Sequence, residues 1–428
     1  MNKFFTLRVI PALIGVAVSG GAFAAAFQLS EQSASGIGVA NAGAAATAED
    51  ASTVYFNPAG MTSLSEGHNF SLATTIMDRR THFTNEGTGG LLNNAPPFGY
   101  GKPLGDDGGD AGGIHAIPAL YYSYALTQDW RFGLAINPTF ADETEYDSNF
   151  VGRYSGLKTK IRVVNINPSV AYKVNDQLSV ALGIDFARAD IEFKQAVPSL
   201  PVGADGVGLL KGNANGWGYN FGLMYKITPK TQLGLSYRSR IKFDLDGEKK
   251  ISGAADRSIT ATLETPDTAS LAINHQLNDK WTVLADYTWT GWSSLQQLSP
   301  VYADGSRAVA PLRYNFKDTY RVGLGATYQF NEQWKLRMGT AFDKNPIPND
   351  ESRTMTVPDG DRVWLALGAR WTLSPKTSVD IGYAHVFVSD VHTSRAVKTT
   401  DETVTVQTVR GSFTNSADMI SAQVNFAF

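Results

Sequence analysis

The chain closes on Asp418-Met-Ile-Ser-Ala-Gln-Val-Asn-Phe-Ala-Phe428, which puts Ile420, Ala422, Val424, Phe426 and Phe428 on one face of an extended strand and Ser421, Gln423, Asn425 and Ala427 on the other. Strand side chains alternate with period two, so this strand has one apolar side and one polar side. The pattern recurs upstream. In 217–228, Trp217, Tyr219, Phe221, Leu223, Tyr225 and Ile227 alternate with Gly218, Asn220, Gly222, Met224, Lys226 and Thr228. In 314–330, Tyr314, Phe316, Tyr320, Val322, Leu324, Tyr328 and Phe330 oppose Asn315, Lys317, Thr319, Arg321, Thr327 and Gln329. In 362–373, Val363, Leu365, Leu367, Trp371 and Leu373 oppose Arg362, Arg370 and Thr372.

Strands with one lipid-compatible face must pair every backbone group, and in hydrocarbon only a closed sheet does so without helices. The connections carry the same message. Thr127-Gln128-Asp129, Val174-Asn175-Asp176, Thr228-Pro229-Lys230, Leu277-Asn278-Asp279-Lys280, Asn331-Glu332 and Ser374-Pro375-Lys376 are short and polar. The intervening connections, near 87–114, 142–157, 195–214, 245–257, 299–311, 344–360 and 391–414, are long. Short turns at one end and long loops at the other are the asymmetry of an outer-membrane barrel. The reading is all-β: a transmembrane antiparallel β-barrel of about fourteen strands, an even number as bacterial barrels require. These strands fall near 68–84, 115–126, 129–141, 158–173, 177–194, 215–228, 231–244, 258–277, 280–296, 312–330, 333–343, 361–373, 377–390 and 415–428. Tyr225, Trp281, Phe330, Trp334 and Trp371 sit at strand ends, where amphipathic rings settle at the headgroup level.

Composition agrees. A mean hydropathy of −0.17 is too polar for a helical membrane protein but suits a barrel, in which only alternate residues meet lipid. No stretch after residue 24 offers the roughly 20 apolar residues of a spanning helix. The net charge of −3 is unpatterned, which argues against nucleic acid, and the absence of cysteine removes thiol chemistry. Lys3 and Arg8 precede an apolar run from Val9 to Val18, and Ala22-Phe23-Ala24 supplies the small residues of a signal-peptidase site, so residues 1–24 read as a signal peptide. Residues 25–67, rich in Gly, Ala and Ser and without period-two pattern, read as a compact N-terminal segment preceding a barrel over 68–428.

The segments Ala25-Ala-Phe-Gln-Leu29, Ser33-Ala-Ser-Gly-Ile-Gly38 and Asn57-Pro58-Ala59 together resemble the FadL-type (FadL/TodX) outer-membrane transporters of long-chain fatty acids and hydrophobic compounds. Phe316-Lys-Asp-Thr-Tyr-Arg321, Gly339-Thr-Ala-Phe-Asp343 and Pro358-Asp-Gly-Asp-Arg362 are similar to the same family's strands and loops. The resemblance implies a barrel plugged by an N-terminal hatch with Asn57, Pro58 and Ala59 as its motif, a hydrophobic groove among the extracellular loops, a tighter inner pocket, and a kinked third strand that opens the wall. By resemblance, Phe27 belongs against the inner pocket, and Lys317 and Arg188 belong near the ligand head group.

The residues assign the two ends of such a ligand separately. Burying a tail of about 16 carbons at about 0.8 kcal/mol per methylene contributes roughly 12 kcal/mol before entropy costs. Val197, Leu200, Val202, Val207, Leu209 and Leu210 form an apolar stretch in the 195–214 connection, either a capture surface or packing over the barrel mouth. A carboxylate requires a cation. Lys317 faces the lumen by parity, whereas parity turns Arg188 outward with Leu182, Ile184 and Phe186 unless a bulge intervenes. The alternative for both is a lumenal ion-pair network, since Asp286, Asp380, Arg238, Arg240, Arg321 and Arg337 are also inward by count. Pro118 and Pro138 remove ladder donors, which makes Asn137-Pro138 the candidate wall interruption or else an ordinary strand end.

The expected partners are a long-chain fatty acid or similar hydrophobic ligand and the lipid and lipopolysaccharide of a Gram-negative outer membrane, with a monomeric chain and no nucleic acid. No nucleophile motif accompanies the six histidines, so no catalytic residue, cofactor or metal is assigned. His385 is outward by count, and Asp106-Asp107-Gly108-Gly109-Asp110 reads as a solvated loop more readily than as a cation site. An importer of aromatic or alkane hydrocarbons stands as the alternative, ahead of a general porin, an outer-membrane phospholipase and a surface receptor or adhesin.

Overall fold

The computed structural model describes residues 26–200 and 203–428. The expected signal peptide and Val202 lie outside them. Fourteen antiparallel staves close into one ring. In order they are β1 His68–Asn85, β2 Gly113–Ala125, β3 Trp130–Glu145, β4 Lys158–Lys173, β5 Leu178–Val197 and β6 Gly206–Thr228. Next come β7, in two pieces Thr231–Arg238 and Lys242–Ile251, and β8, in two pieces Arg257–Glu264 and Thr268–Gln276. The ring continues with β9 Trp281–Thr290, β10 Thr319–Gln329, β11 Trp334–Asp343, β12 Arg362–Ser374, β13 Thr377–Val388 extended by Val391–Lys398, and β14 Thr405–Ala427. The terminal strand β14 pairs back onto β1 from Asn69↔Ala427 to Asn85↔Gly411, so neither terminal strand is left as an open edge.

Several strands run further than the alternation indicated. The stretch 195–214 is largely not a loop: Val197 still pairs with Gly206 at the top of β5 and β6. Residues 391–398 likewise pair with β14. Above the lipid belt a strand no longer needs an oily face, so its hydrophobic signal fades while its hydrogen bonds continue. On β5, exposed Leu182, Ile184 and Phe186 give way outward to Arg188, Asp190 and Glu192.

Three staves change face partway. On β3 the register shifts between Pro138 and Phe140. On β7 and β8 the chain leaves the ladder at 239–241 and 265–267. Each shift inverts which side chains point inward, as an added residue in a period-two element must. This corrects the expectation for Arg240: Arg238 points inward and pairs with Asp185, but beyond the kink Arg240 is exposed beside Asp267 at 3.4 Å.

Residues 26–63 lie inside the ring as irregular backbone with α1 Ala34–Ile37, α2 Thr53–Phe56, and 3-10 turns at Ala44–Ala46 and Pro58–Ser63. Ser33 caps α1 through Gly36 N–H at 3.0 Å. Asn57 caps the Pro58 turn through Ala59 N–H at 3.1 Å, and Pro58 at the first turn position has no N–H to leave unpaired. The amide of Asn57 also donates to the carbonyls of Ala45 at 2.6 Å and Leu223 at 3.0 Å, tying the segment to β6. The wall makes room with inward glycines. A Cβ on Gly222 would strike Asn57 Oδ1, on Gly234 the Ala45 carbonyl, on Gly339 the Val39 carbonyl, and on Gly368 the Gly38 Cα at 2.7 Å.

Candidate functional site

An apolar chamber filled by packed side chains and an open apolar groove lie above this inner segment. The lower one surrounds Phe27, which is fully buried; its ring meets Trp292 edge-on at 4.9 Å and Phe140 at 6.2 Å. Trp292 in turn contacts Phe316 at 5.7 Å, and Phe316 contacts Tyr314 at 5.2 Å. Trp292 gets there because β9 stops at Thr290 and the chain turns inward through Gly291, where a Cβ would strike Asp267. Apolar wall residues such as Ile161, Phe243 and Trp364 complete the chamber.

The upper space is a groove of about 860 Å³ among the extracellular ends of the strands. Val197, Leu200 and Leu210 line it, together with Leu312, Val397 and Val406. Leu209 does not. It pairs beside Lys194 and so takes the opposite face of β6 from buried Leu210, while Val207 is exposed. The segment 311–318 separates the two spaces. Leu312, Arg313 and Asn315 line the groove while Tyr314 and Phe316 are buried in the chamber, and Leu312 also packs against the chamber cluster. Asn315 has φ +52° here, a left-handed turn that asparagine tolerates.

This segment corrects the placement of Lys317. The strand β10 begins only at Thr319, so its parity does not extend back to Lys317, which is exposed and held through its N–H to the Pro346 carbonyl at 2.9 Å. Tyr314 and Phe316, grouped by alternation with the lipid-facing residues, are inside for the same reason. Arg188 faces outward, as parity alone indicated. The β5–β6 ladder has no register shift there, and Arg188 reaches Asn213 at 3.1 Å and Asp190 at 3.5 Å on the outer surface.

A different cation lines the groove. Arg395 donates to the carbonyls of Arg313 at 3.0 Å and Glu351 at 2.9 Å, and has no carboxylate partner among the described residues. Arg313 and Arg307 share Glu402 at 3.0 and 2.7 Å. Nothing in the sequence distinguished Arg395 from Arg313, because the difference between these two groove arginines lies in which of them Glu402 already occupies; Lys249 and Lys398 also line the groove without an ion pair among the described residues.

The wall beside the chamber is incomplete between β2 and β3. Their ladder runs only from Ala125↔Arg131 to Leu120↔Ile136, although both strands continue. Beyond it, at Asn137 and Pro138, the inner segment takes the place of the missing neighbour. Leu29 N–H donates to the Thr139 carbonyl and Ala141 N–H to the Phe27 carbonyl, each at 2.9 Å. Gln32 Nε2 donates to the Pro138 carbonyl at 2.6 Å, and Asn137 Nδ2 to Gln32 Oε1 at 2.9 Å. The role of Gln32 carried no sequence signal.

Deeper in the ring, charges are paired across the inner segment and wall. Arg337 meets Glu49 at 2.7 Å and Asp380 at 2.6 Å, and Arg370 meets Asp380 at 2.9 Å and Asp50 at 2.8 Å. Arg321 meets Asp286 at 3.3 Å. His385 lies on the outer face against Asp418 at 2.8 Å, and the described residues contain no cluster of His, Asp and Glu able to hold a metal ion.

Known proteins share this architecture. The family described as "Outer membrane protein transport protein (OMPP1/FadL/TodX)" matches residues 15–428. Outer membrane protein P1 of Haemophilus influenzae is 31% identical over 100% of both chains. The long-chain fatty acid transport protein of Escherichia coli K12 is 27% identical over 90% of this chain and 92% of its own. Among solved structures, a Pseudomonas aeruginosa FadL homologue superposes with a TM-score of 0.85 at 25% identity, covering 94% of this chain and 99% of its own. The Pseudomonas putida toluene transporter TodX has the same fold, with a TM-score of 0.67 at 18% identity over 91% of this chain and 98% of its own.

Proposed function

This chain belongs to the OMPP1/FadL/TodX family of outer-membrane transport proteins, and from that premise we propose that it imports long-chain fatty acids by passive, ligand-gated diffusion. The tail enters the groove over Val197, Leu200 and Leu210, with the carboxylate on Arg395. It passes Leu312 into the chamber and replaces Phe27 against Trp292 and Phe140. Residues 26–32 then leave β3, and the ligand exits through the unpaired span of β2 and β3 into the membrane. The observation that carries this reading is that one short stretch both fills the chamber with Phe27 and completes the β3 ladder, so displacing the first disturbs the second. A ligand that binds the displaced state more tightly shifts the population toward it.

Import of aromatic or alkane hydrocarbons is the second reading, favoured by a chamber lined around Phe27 with aromatic rings and by a cation placed outside it in the groove. Labelled oleate and labelled toluene uptake, measured in a Gram-negative host lacking its own such transporter, tests both. Oleate uptake that falls at subsaturating concentration in Arg395→Ala, with little change in Lys317→Ala, is the expected result. Toluene uptake without oleate uptake overturns the fatty-acid assignment, and oleate uptake indifferent to Arg395→Ala overturns the head-group site.

A further inference from the structure

The ring has a second interruption, four staves further round, between β6 and β7. Their pairing runs from Thr228↔Thr231 to Asn220↔Arg238 and resumes only at Asn213↔Asp246. Between these points the strands are held at one residue, Tyr219, whose carbonyl accepts from Ser239 N–H at 2.8 Å and whose N–H donates to Ser239 Oγ at 2.9 Å. The kink at 239–241 is matched by one at 265–267 in the neighbouring β8, and both invert the facing of their strands. A pair of adjacent face inversions bends the wall locally.

This site differs from the β2–β3 interruption in what closes it. There the backbone of residues 27–29 supplies the missing hydrogen bonds. Here a side chain does the sealing. The inward positions of β6 are the bare Gly216 and Gly218, and Ile241 lies across them: a Cβ on Gly216 would come within 2.6 Å of Ile241 Cγ2, and one on Gly218 within 2.9 Å of Cγ1. Ile241 is buried in the same apolar cluster as Phe27, Phe140 and Trp292, so its inner side is the chamber itself. On the outer side Trp217 and Tyr219 are among the most exposed aromatic residues of the wall, and Tyr237 lies 6.1 Å from Tyr219. Exposed amphipathic rings mark the boundary between acyl chains and headgroups. The interruption begins at Asn220, about one tilted membrane span of strand above the 228–231 turn, which with the exposed Trp217 and Tyr219 rings places it at the outer leaflet.

We propose that this interruption is a second lateral passage, latched by Ile241, through which unbranched apolar chains already dissolved in the outer leaflet enter the chamber without crossing the outer groove. A chain in the bilayer has already left water, so a lateral entrance needs no capture surface and no cation. It needs a slot between strands that share few hydrogen bonds and a side chain that can rotate. Ile241 over two glycines meets that requirement, because the glycines offer no side chain to fill the space it vacates.

The passage extends the import reading but can be tested apart from it. Gln28 and Phe140 are bridged partners, and the chain has no other cysteine, so oxidised Gln28→Cys/Phe140→Cys holds residues 26–32 on β3. In this locked background Phe27→Ala is added, so that a ligand fits the chamber without displacing residues 26–32, and the rate at which labelled hexadecane supplied in the outer leaflet is captured by the barrel is followed. The expected result is that Ile241→Ala raises hexadecane capture several-fold over the locked parent and Ile241→Val raises it less. Heat-modifiable electrophoretic migration identifies folded barrels, and permeation of glycerol should stay at the parent's level. No dependence on residue 241 in folded variants overturns the passage, as does a parallel rise in glycerol, which would make Ile241→Ala a mere hole. Loss of uptake in the unlocked native protein would instead overturn the import reading.

Discussion

The inner segment touches the wall in two unlike ways. Over residues 33–63 it is held by buried ion pairs, by the Asn57 amide and by glycines shaped to its backbone. Over residues 26–32 it is held by the Phe27 ring and by hydrogen bonds to the bent part of β3. The first set is specific and hard to replace, because removing one partner of a buried pair leaves the other charge stranded. In the second set the Phe27 contact is what an apolar ligand can imitate, since a hydrocarbon chain replaces aromatic contact area at similar strength per unit surface. The contrast divides the segment into a fixed base and an exchangeable tip.

Breaking the base gives the largest effect. Arg337→Met removes a shared partner of Glu49 and Asp380 and is expected to cost about 3–5 kcal/mol of barrel stability, read by urea unfolding, with a rise in planar-bilayer ion conductance as the base loosens. Unchanged conductance would mean that the base is pinned elsewhere. Gly234→Ala presses a methyl group into the Ala45 carbonyl and should cost about 1–3 kcal/mol with a smaller rise in conductance. A matching Gly89→Ala, where φ is ordinary and a Cβ meets nothing within 4 Å, separates the general effect of Gly→Ala from this contact.

The mildest perturbation acts within the tip. Glu31 is fully buried, with the backbone N–H groups of Ser30 and Glu31 beside its carboxylate. Burial pushes its carboxyl up from 4.5 to about 7, with nearby Arg362 opposing and Asp343 reinforcing the shift. The raised value favours the seated segment while the group is protonated. Seating therefore weakens as pH rises from about 4.5 to about 7, because the displaced segment releases the proton first. Uptake of toluene, which does not itself titrate, should rise across that interval and be flat in Glu31→Gln. An identical profile in both proteins would exclude Glu31 as its source.

How much was legible from sequence follows the range of each interaction. Alternation in 217–228 and 418–428 specified lipid-facing strands because each residue there reports its own solvent. Where the chain stopped obeying one period, the reading failed: Tyr314 and Phe316 alternate correctly but turn inward after a left-handed Asn315, Arg240 reverses across a kink, and Lys317 falls outside the strand to which its parity belonged. The resemblance drew attention to Phe27 and Asn57-Pro58-Ala59, but it did not reveal Trp292, Gln32 or Arg395 as their companions.

The sequence by itself determined a closed fourteen-stranded barrel in the outer membrane, because hydrocarbon imposes the same demand on every strand and leaves a periodic record. Only the tertiary structure decided which interruptions of that wall are filled by backbone and which by a side chain, and which arginine keeps a charge free of carboxylates. Those depend on residues tens to more than a hundred positions apart meeting inside the ring, where no local pattern records the encounter.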